Sequence, residues 1–263
     1  SPLGELPLKE PSDIDRQIAQ HVLSQIEDEC VIQLGIGGMP NALGKLISET
    51  DLKNLGGHTE MLSDAYVDMF ESGRMTNLKK ISDVGKIVYT FALGSKRLYD
   101  FVHNNKALAS YNVFYSNHPI SLAKIDKLIS INQALKVDIF SQVNAESSDF
   151  RQISGNGGML DFVQGAYWSK GGKSMICLPS SYTTKEGEIK SNVLPILPLG
   201  TTVTVPRQSV HMIVTEYGSA VMKGASTWAR AERLINIAHP KFRDDLIHAA
   251  QENKIWRRTN KIA

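Results

Sequence analysis

Of 263 residues only two are cysteine, Cys30 and Cys177, each set in an apolar stretch with no Cys or His at metal-ligand spacing. That excludes a disulfide scaffold and a cysteine-based zinc site, and it points to buried thiols in a reducing compartment. No run of 18 apolar residues exists, and the first residues lack the basic and apolar segments of a signal peptide. A membrane span is therefore not expected, and a cytoplasmic protein is. Charge of either sign is not in excess, with 29 Lys and Arg against 27 Asp and Glu and a net charge of +2. No electrostatic argument for nucleic acid follows, because the one basic stretch, Lys254 to Lys261, reads as a solvated helix end. Low-complexity segments and long internal repeats are missing as well.

What is present is an ordinary globular composition, 42% hydrophobic and 21% charged, long enough for a sizeable core. Ser12-Asp13-Ile14-Asp15 resembles a capping box ahead of Ile14, Ile18, Val22, Leu23 and Ile26 at helical spacing. Cys30 to Leu34 then reads as a strand that stops at Gly35-Ile36-Gly37-Gly38, and helical periodicity resumes from Asn41 to Ile47. Strand character is expected at 86–93, 113–115, 128–131, 174–178, 202–205 and 212–215. Helices are expected at 95–102, 160–168, 225–238 and 241–253. The alternation predicts an α/β fold with a mixed sheet flanked by helices, in one large domain.

The glycine spacing of the first turn recurs at Gly155-Asn156-Gly157-Gly158. Residues without a Cβ let backbone N–H groups approach an anion, so two such turns could serve one developing negative charge. A dinucleotide site needs a third glycine where Pro40 stands, and a phosphate loop needs Gly-Lys-Ser/Thr after the turn; neither is found. Between the turns lies His58-Thr59-Glu60-Met61. Glu60 enters an apolar run from a turn, where a carboxylate serves either a helix start or covalent catalysis. The local pattern leaves both open.

The ordered set Gln33 to Ala42, His58 to Met61 with Asp64 and Val67-Asp68, Ser116-Asn117-His118-Pro119, Gln142 to Ser147, Ser154 to Phe162, Thr215-Glu216-Tyr217-Gly218 and Ala238-His239-Pro240 resembles one family. It is that of the family I CoA-transferases, in the acetyl-CoA hydrolase/transferase branch with the 4-hydroxybutyrate and butyryl-CoA:acetate CoA-transferases. The resemblance runs from about residue 12 to about residue 250. It implies a NagB/RpiA-like CoA-transferase domain at 12–253, a lead-in at 1–11 from an N-terminal domain outside this sequence, and a basic tail at 254–263. A chain opening on Ser rather than Met is expected to be a fragment or a processed product.

The same resemblance implies that Glu60 is the nucleophile that becomes a glutamyl-CoA thioester, and that the N–H groups of Ile36 and Gly158 form the oxyanion hole. Gly35, Gly37, Gly38, Gly155 and Gly157 would line the substrate and CoA site, with Asn117 and Glu216 on its carboxylate-binding side. Gln152, Ser154 and Glu146 read as structural, satisfying backbone groups beside the second turn. No metal and no permanently bound cofactor is implied; coenzyme A enters as the substrate acyl-CoA. The implied partners are acyl-CoA, a small carboxylate such as acetate, and either a homo-oligomer or an N-terminal-half domain facing Glu60, with no nucleic acid and no membrane. An acyl-CoA hydrolase using the same site, or a non-catalytic CoA-binding domain, are the alternatives. The sequence departs from the family pattern at Lys136, at Ser141 in place of a common glycine, and at Ser148-Asp149.

Overall fold

A computed structural model of the chain describes residues 4–6 and 10–256. Most of the basic tail and part of the lead-in lie outside the described residues. Contacts cluster into two compact units, the first comprising residues 1–132 and 161–175 and the second residues 133–160 and 176–263.

The first unit is built on parallel pairing. Helix α1 (Asp13–Leu23) starts at the expected capping box, in which the Ser12 hydroxyl accepts from the Asp15 N–H at 3.1 Å and the Ser12 N–H donates to the Asp15 carboxylate at 2.9 Å. It buries Ile18, Ala19 and Val22. Strand β1 (Val31–Leu34) is buried on both faces, which explains its unbroken apolar character apart from Gln33. It runs into helix α2 (Gly38–Ser48), which packs on α1 and on α3 (Asp64–Glu71). Gly44 permits the second approach, since a Cβ there would lie 2.8 Å from that of Ala65.

Strand β1 pairs in parallel with β2 (Gly56–Gly57) on one side and β7 (Leu128–Gln133) on the other. The strand-like stretch 86–93 is two short strands, β4 (Ile87–Tyr89) and β5 (Phe91–Ala92), interrupted at Thr90. Strand β5 pairs in parallel with β3 (Met61–Leu62), and β4 with β6 (Leu108–Ser110). Helices α4 (Lys96–Val102), α5 (Val113–Ser116), α6 (Pro119–Ala123) and α7 (Met159–Trp168) complete the labelled elements. Residues 113–115 thus form a helical turn instead of a strand, because the Asn112 side chain accepts from the Tyr115 N–H and caps it. Val31, Leu122, Ile125, Leu128, Phe162 and Ala166 make a core cluster of β1, α6, β7 and α7.

The second unit is antiparallel in the main. Met212–Thr215 pairs with Gly218–Val221 around a two-residue turn, and Ser181–Thr183 with Ile189–Ser191. Lys136–Asp138 pairs antiparallel with Val143–Asn144 and parallel with Val193–Leu194. The apolar run at 202–205 makes no strand, only an isolated bridge from Val205 to Val143. Helices Thr227–Asn236 and Arg243–Glu252 occupy the C-terminal part, the second led in by a 3-10 turn at Pro240–Phe242. Ser141 adopts φ +65°, the left-handed region that favours the glycine it replaces, and its hydroxyl accepts from the buried Arg230 guanidinium at 2.6 Å. Among the described residues no helix is long and apolar enough to cross a membrane. Both cysteines are buried and unpaired, and burial pushes both thiols above their ordinary pKa.

Candidate active site

The first unit gathers three of the singled-out segments at the carboxyl ends of its parallel strands, the edge where open α/β sheets bind ligands. The first glycine turn follows β1, and the His58-Thr59-Glu60 segment follows β2. The Asn117 segment joins them through its neighbour, since the His58 Nε2 lies 2.9 Å from the Ser116 carbonyl.

In the first turn each glycine has its own reason. The Gly35 N–H donates to the Ile131 carbonyl at 3.1 Å, continuing the β1–β7 ladder. Gly37 takes φ +130° as the N-cap of α2, a conformation open to glycine, and a Cβ on Gly38 would come within 2.6 Å of the Asp15 carboxylate. Ile36 between them is 39% exposed, so this part of the turn faces outward. Beneath the turn runs a buried polar row. Gln33 Nε2 donates to Asn132 at 3.2 Å, and the Ser130 hydroxyl donates to Gln33 Oε1 at 2.7 Å. Tyr66 on α3 accepts from the Leu34 N–H at 2.8 Å, and burial raises its phenol far above the ordinary range.

Glu60 is not at a helix start; it sits between β2 and β3, four residues ahead of α3. Its backbone is fixed, because its carbonyl accepts from the N–H groups of Thr90 at 2.9 Å and Phe91 at 3.1 Å. The preceding residues are buried: the Thr59 N–H donates to the Val88 carbonyl at 2.9 Å, and the Thr59 hydroxyl donates to the Met61 carbonyl at 3.1 Å. His58 is 2% exposed, and its imidazole is pushed down to about 4, first by burial and then by the Lys80 charge. A neutral ring follows, matched to its single carbonyl partner. Glu60 itself is half-buried, three residues beyond the end of β2.

Asp64 and Asp68, which share the Glu60 motif, are committed elsewhere. Asp64 accepts from the Ser95 N–H at 3.0 Å and hydroxyl at 2.5 Å, ahead of α4, while Asp68 takes the Arg97 guanidinium at 2.6 Å. Asn117 is 2% exposed and ends α5. Its Oδ1 accepts from the Ser116 hydroxyl at 2.8 Å, that hydroxyl also bonding the hydroxyl of Thr90, and its buried Nδ2 has no hydrogen-bond partner. A buried amide donor without an acceptor costs about 1–3 kcal/mol, so it is a natural contact for a ligand oxygen.

Asp161 and His118 lie within the motifs that carry the resemblance but received no role from the sequence. The carboxyl of Asp161, in the first turn of α7, is raised by burial and then by the Glu60 charge, with His118 pulling the other way. Only the fold brings residues 60, 118 and 161 into one electrostatic neighbourhood.

The second turn and Glu216 belong to the second unit. Ser154 to Gly157 are exposed, Gly157 adopts φ +53°, and buried Gly158 leads directly into α7. Gly155 stands in open space, where a Cβ would meet nothing within 4 Å. Behind the turn, Gln152 Nε2 donates to the Ser154 carbonyl at 2.5 Å, and the Glu146 carbonyl accepts from Ile153 and Ser154. These contacts are of the structural kind expected for Gln152, Ser154 and Glu146. Glu216 occupies the tight turn after Met212–Thr215 and accepts from the Ser180 N–H at 2.8 Å and hydroxyl at 2.5 Å.

Comparison with known proteins adds the family. Residues 94–250 match the model of the acetyl-CoA hydrolase/transferase C-terminal domain. The chain is 51% identical over 261 residues to a probable butyrate:acetyl-CoA coenzyme A-transferase of Syntrophomonas wolfei, covering 99% of this chain and 58% of that protein. It is 52% identical over 250 residues to a butyryl-CoA:acetate CoA-transferase of Anaerostipes caccae, covering 95% and 56%. The crystal structure of RipA from Yersinia pestis superimposes with a TM-score of 0.90 at 37% identity, over 97% of this chain and 57% of that one. The chain spans just over half the length of the curated relatives it matches.

Proposed function

The chain belongs to the acetyl-CoA hydrolase/transferase family, and from that premise we propose that it moves CoA from a short-chain acyl-CoA to a carboxylate such as acetate. Butyryl-, 4-hydroxybutyryl- and acetyl-CoA are the proposed acyl donors. The observation that carries this reading is Glu60, a half-buried carboxylate with its backbone pinned by Thr90 and Phe91 at the carboxyl ends of parallel strands.

In the proposed reaction the Glu60 carboxylate attacks the thioester carbon and expels the CoA thiolate, leaving a mixed anhydride. The thiolate then attacks the glutamyl carbonyl, which forms a glutamyl-CoA thioester and releases the first acid as its carboxylate. An incoming carboxylate attacks this thioester, and the same two steps in reverse restore Glu60 and deliver the new acyl-CoA. Each tetrahedral intermediate carries an oxyanion, assigned here to the N–H groups of Ile36 and Gly158. One such donor is worth roughly 3 to 4 kcal/mol of barrier. Asn117 Nδ2, buried and unpartnered, is assigned to an oxygen of the carboxylate substrate. Glu216, whose carboxylate accepts two hydrogen bonds from Ser180, is assigned to the carboxylate-binding side.

The test is covalent capture. After incubation with butyryl-CoA and treatment with borohydride, the peptide containing Glu60 should carry the mass change of a reduced glutamyl thioester, and Glu60→Ala should carry none. Full exchange by Glu60→Ala would overturn the assignment. Release of CoA without added carboxylate would instead favour a hydrolase, and CoA binding without capture a non-catalytic domain.

A further inference from the structure

Lys80 is 5% exposed, yet its ammonium faces two backbone oxygens, the Gly57 carbonyl at 3.0 Å and the Lys86 carbonyl at 2.7 Å. Burying a cation is costly unless hydrogen bonds offset its desolvation, and here the two carbonyls supply them. Those two carbonyls begin the segment that carries Glu60 and the segment that holds its backbone. From Gly57 the chain runs through His58 and Thr59 to Glu60; from Lys86 it runs along β4 to Thr90 and Phe91. The segments are zipped by the parallel bridge of His58 with Val88, by the Thr59 N–H on the Val88 carbonyl, and by Thr90 and Phe91 on the Glu60 carbonyl. Lys80 closes the foot of this zipper and Glu60 stands at its head. The segment containing Lys80 grips Gly57 twice, since the Asn77 Oδ1 also accepts the Gly57 N–H at 2.8 Å. Gly57 is closely packed, with no room for a side chain, since a Cβ there would lie 2.8 Å from Ile87 and 3.0 Å from the Met75 sulfur.

Resting on the assignment of Glu60 as nucleophile, we propose that Lys80 is a positioning residue for that carboxylate, its buried ammonium clipping the Gly57 and Lys86 carbonyls together. The clip is sensitive to pH. Burial lowers the Lys80 ammonium to about 8, while Asp83, kept ionised by the hydroxyls of Tyr111 and Tyr115, raises it. The other charged or titratable groups that face it are neutral His58 at the end of β2 and, around the cavity of about 270 Å³ that Lys80 lines, Glu29, Lys79, Asp126, Lys127 and Lys170. Loss of the Lys80 proton removes the charge that strengthens both hydrogen bonds.

Two variants and two readouts test this. Lys80→Met keeps the shape and removes the donors, and Lys80→Arg keeps the charge at every working pH. With butyryl-CoA and acetate, Lys80→Met should lower kcat by about ten- to a hundredfold with KM for acyl-CoA within about twofold. Lys80→Arg should recover much of kcat and lack the alkaline fall near pH 8 expected of the unaltered protein. Independently of turnover, hydrogen exchange at the Thr90 and Phe91 amides should speed up about tenfold or more in Lys80→Met while the β1 amides stay unchanged. Unchanged exchange at Thr90 and Phe91, an alkaline limb that persists in Lys80→Arg, or parallel loss of kcat, KM and exchange protection throughout the unit would each overturn the proposal. If Lys80→Met does not fold, the Arg variant and its pH profile decide alone. Failure to capture CoA on Glu60 in the unaltered protein would defeat the nucleophile assignment, and the exchange result at Thr90 and Phe91 separates that failure from a failure of the clip.

Discussion

The two glycine turns share one spacing but are built differently. The first ends a fully buried strand and packs against α1, with Gly38 pressed on Asp15 and Gly37 in a conformation reserved for glycine. The second lies on the surface, where a Cβ on Gly155 would meet nothing within 4 Å and only Gly157 takes a positive φ. Identical letters thus answer to steric crowding and rare dihedrals in one place, and to exposure with one left-handed residue in the other. What the turns hold in common is their end point, since each leads straight into a helix N-terminus, where backbone N–H groups lack internal acceptors.

Experiments can break or sharpen this contrast. The largest effect belongs to the residue between the turns: Glu60→Ala should reduce CoA exchange by at least about a thousandfold in a coupled acyl-CoA assay, leaving the melting temperature nearly unaltered. Next comes the acid response of the buried first site. The His58 imidazole is lowered from its ordinary value near 6.5 to about 4 in the folded state, so between those values the unfolded chain binds the extra proton. Stability present above pH 6.5 is therefore lost as the pH falls towards 4, by on the order of 3 kcal/mol, and denaturation of His58→Gln should show a flatter acid limb.

Smaller effects separate the glycines themselves. Gly37→Ala should cost about 2 kcal/mol in chemical denaturation and Gly157→Ala about 1, the first because its φ and ψ lie outside even the left-handed helical well. Gly38→Ala should cost about 1 kcal/mol by displacing Asp15 from the capping box, against less than about 0.5 for Gly155→Ala. Equal costs within either pair would erase the distinction between the turns.

Much of this was legible in the chain. The Ser12 capping box, the short buried strand before Gly35, and the helices beginning after Ser95 and near Leu160 are local signals, and each appears close to where the periodicity puts it. Residues 113–115 were misleading because a side-chain cap at Asn112 overrode the strand preference of Val113, Phe114 and Tyr115. Residues 202–205 carry strand composition yet find only one bridge, because pairing depends on a neighbour the local sequence does not specify.

Sequence alone determined the family, through ordered motifs around Glu60, and marked two turns of the same glycine spacing. Tertiary structure decided which neighbours those residues meet. That Asp161 feels the charges of both Glu60 and His118, that Asn117 buries an amide without an acceptor, and that the Lys80 ammonium bonds the Gly57 and Lys86 carbonyls are facts of long-range contact. The reason is physical: helix periods and caps act over three or four residues and leave their mark in the local sequence. Burial, desolvation and charge proximity arise between residues tens of positions apart and exist only once the chain has folded.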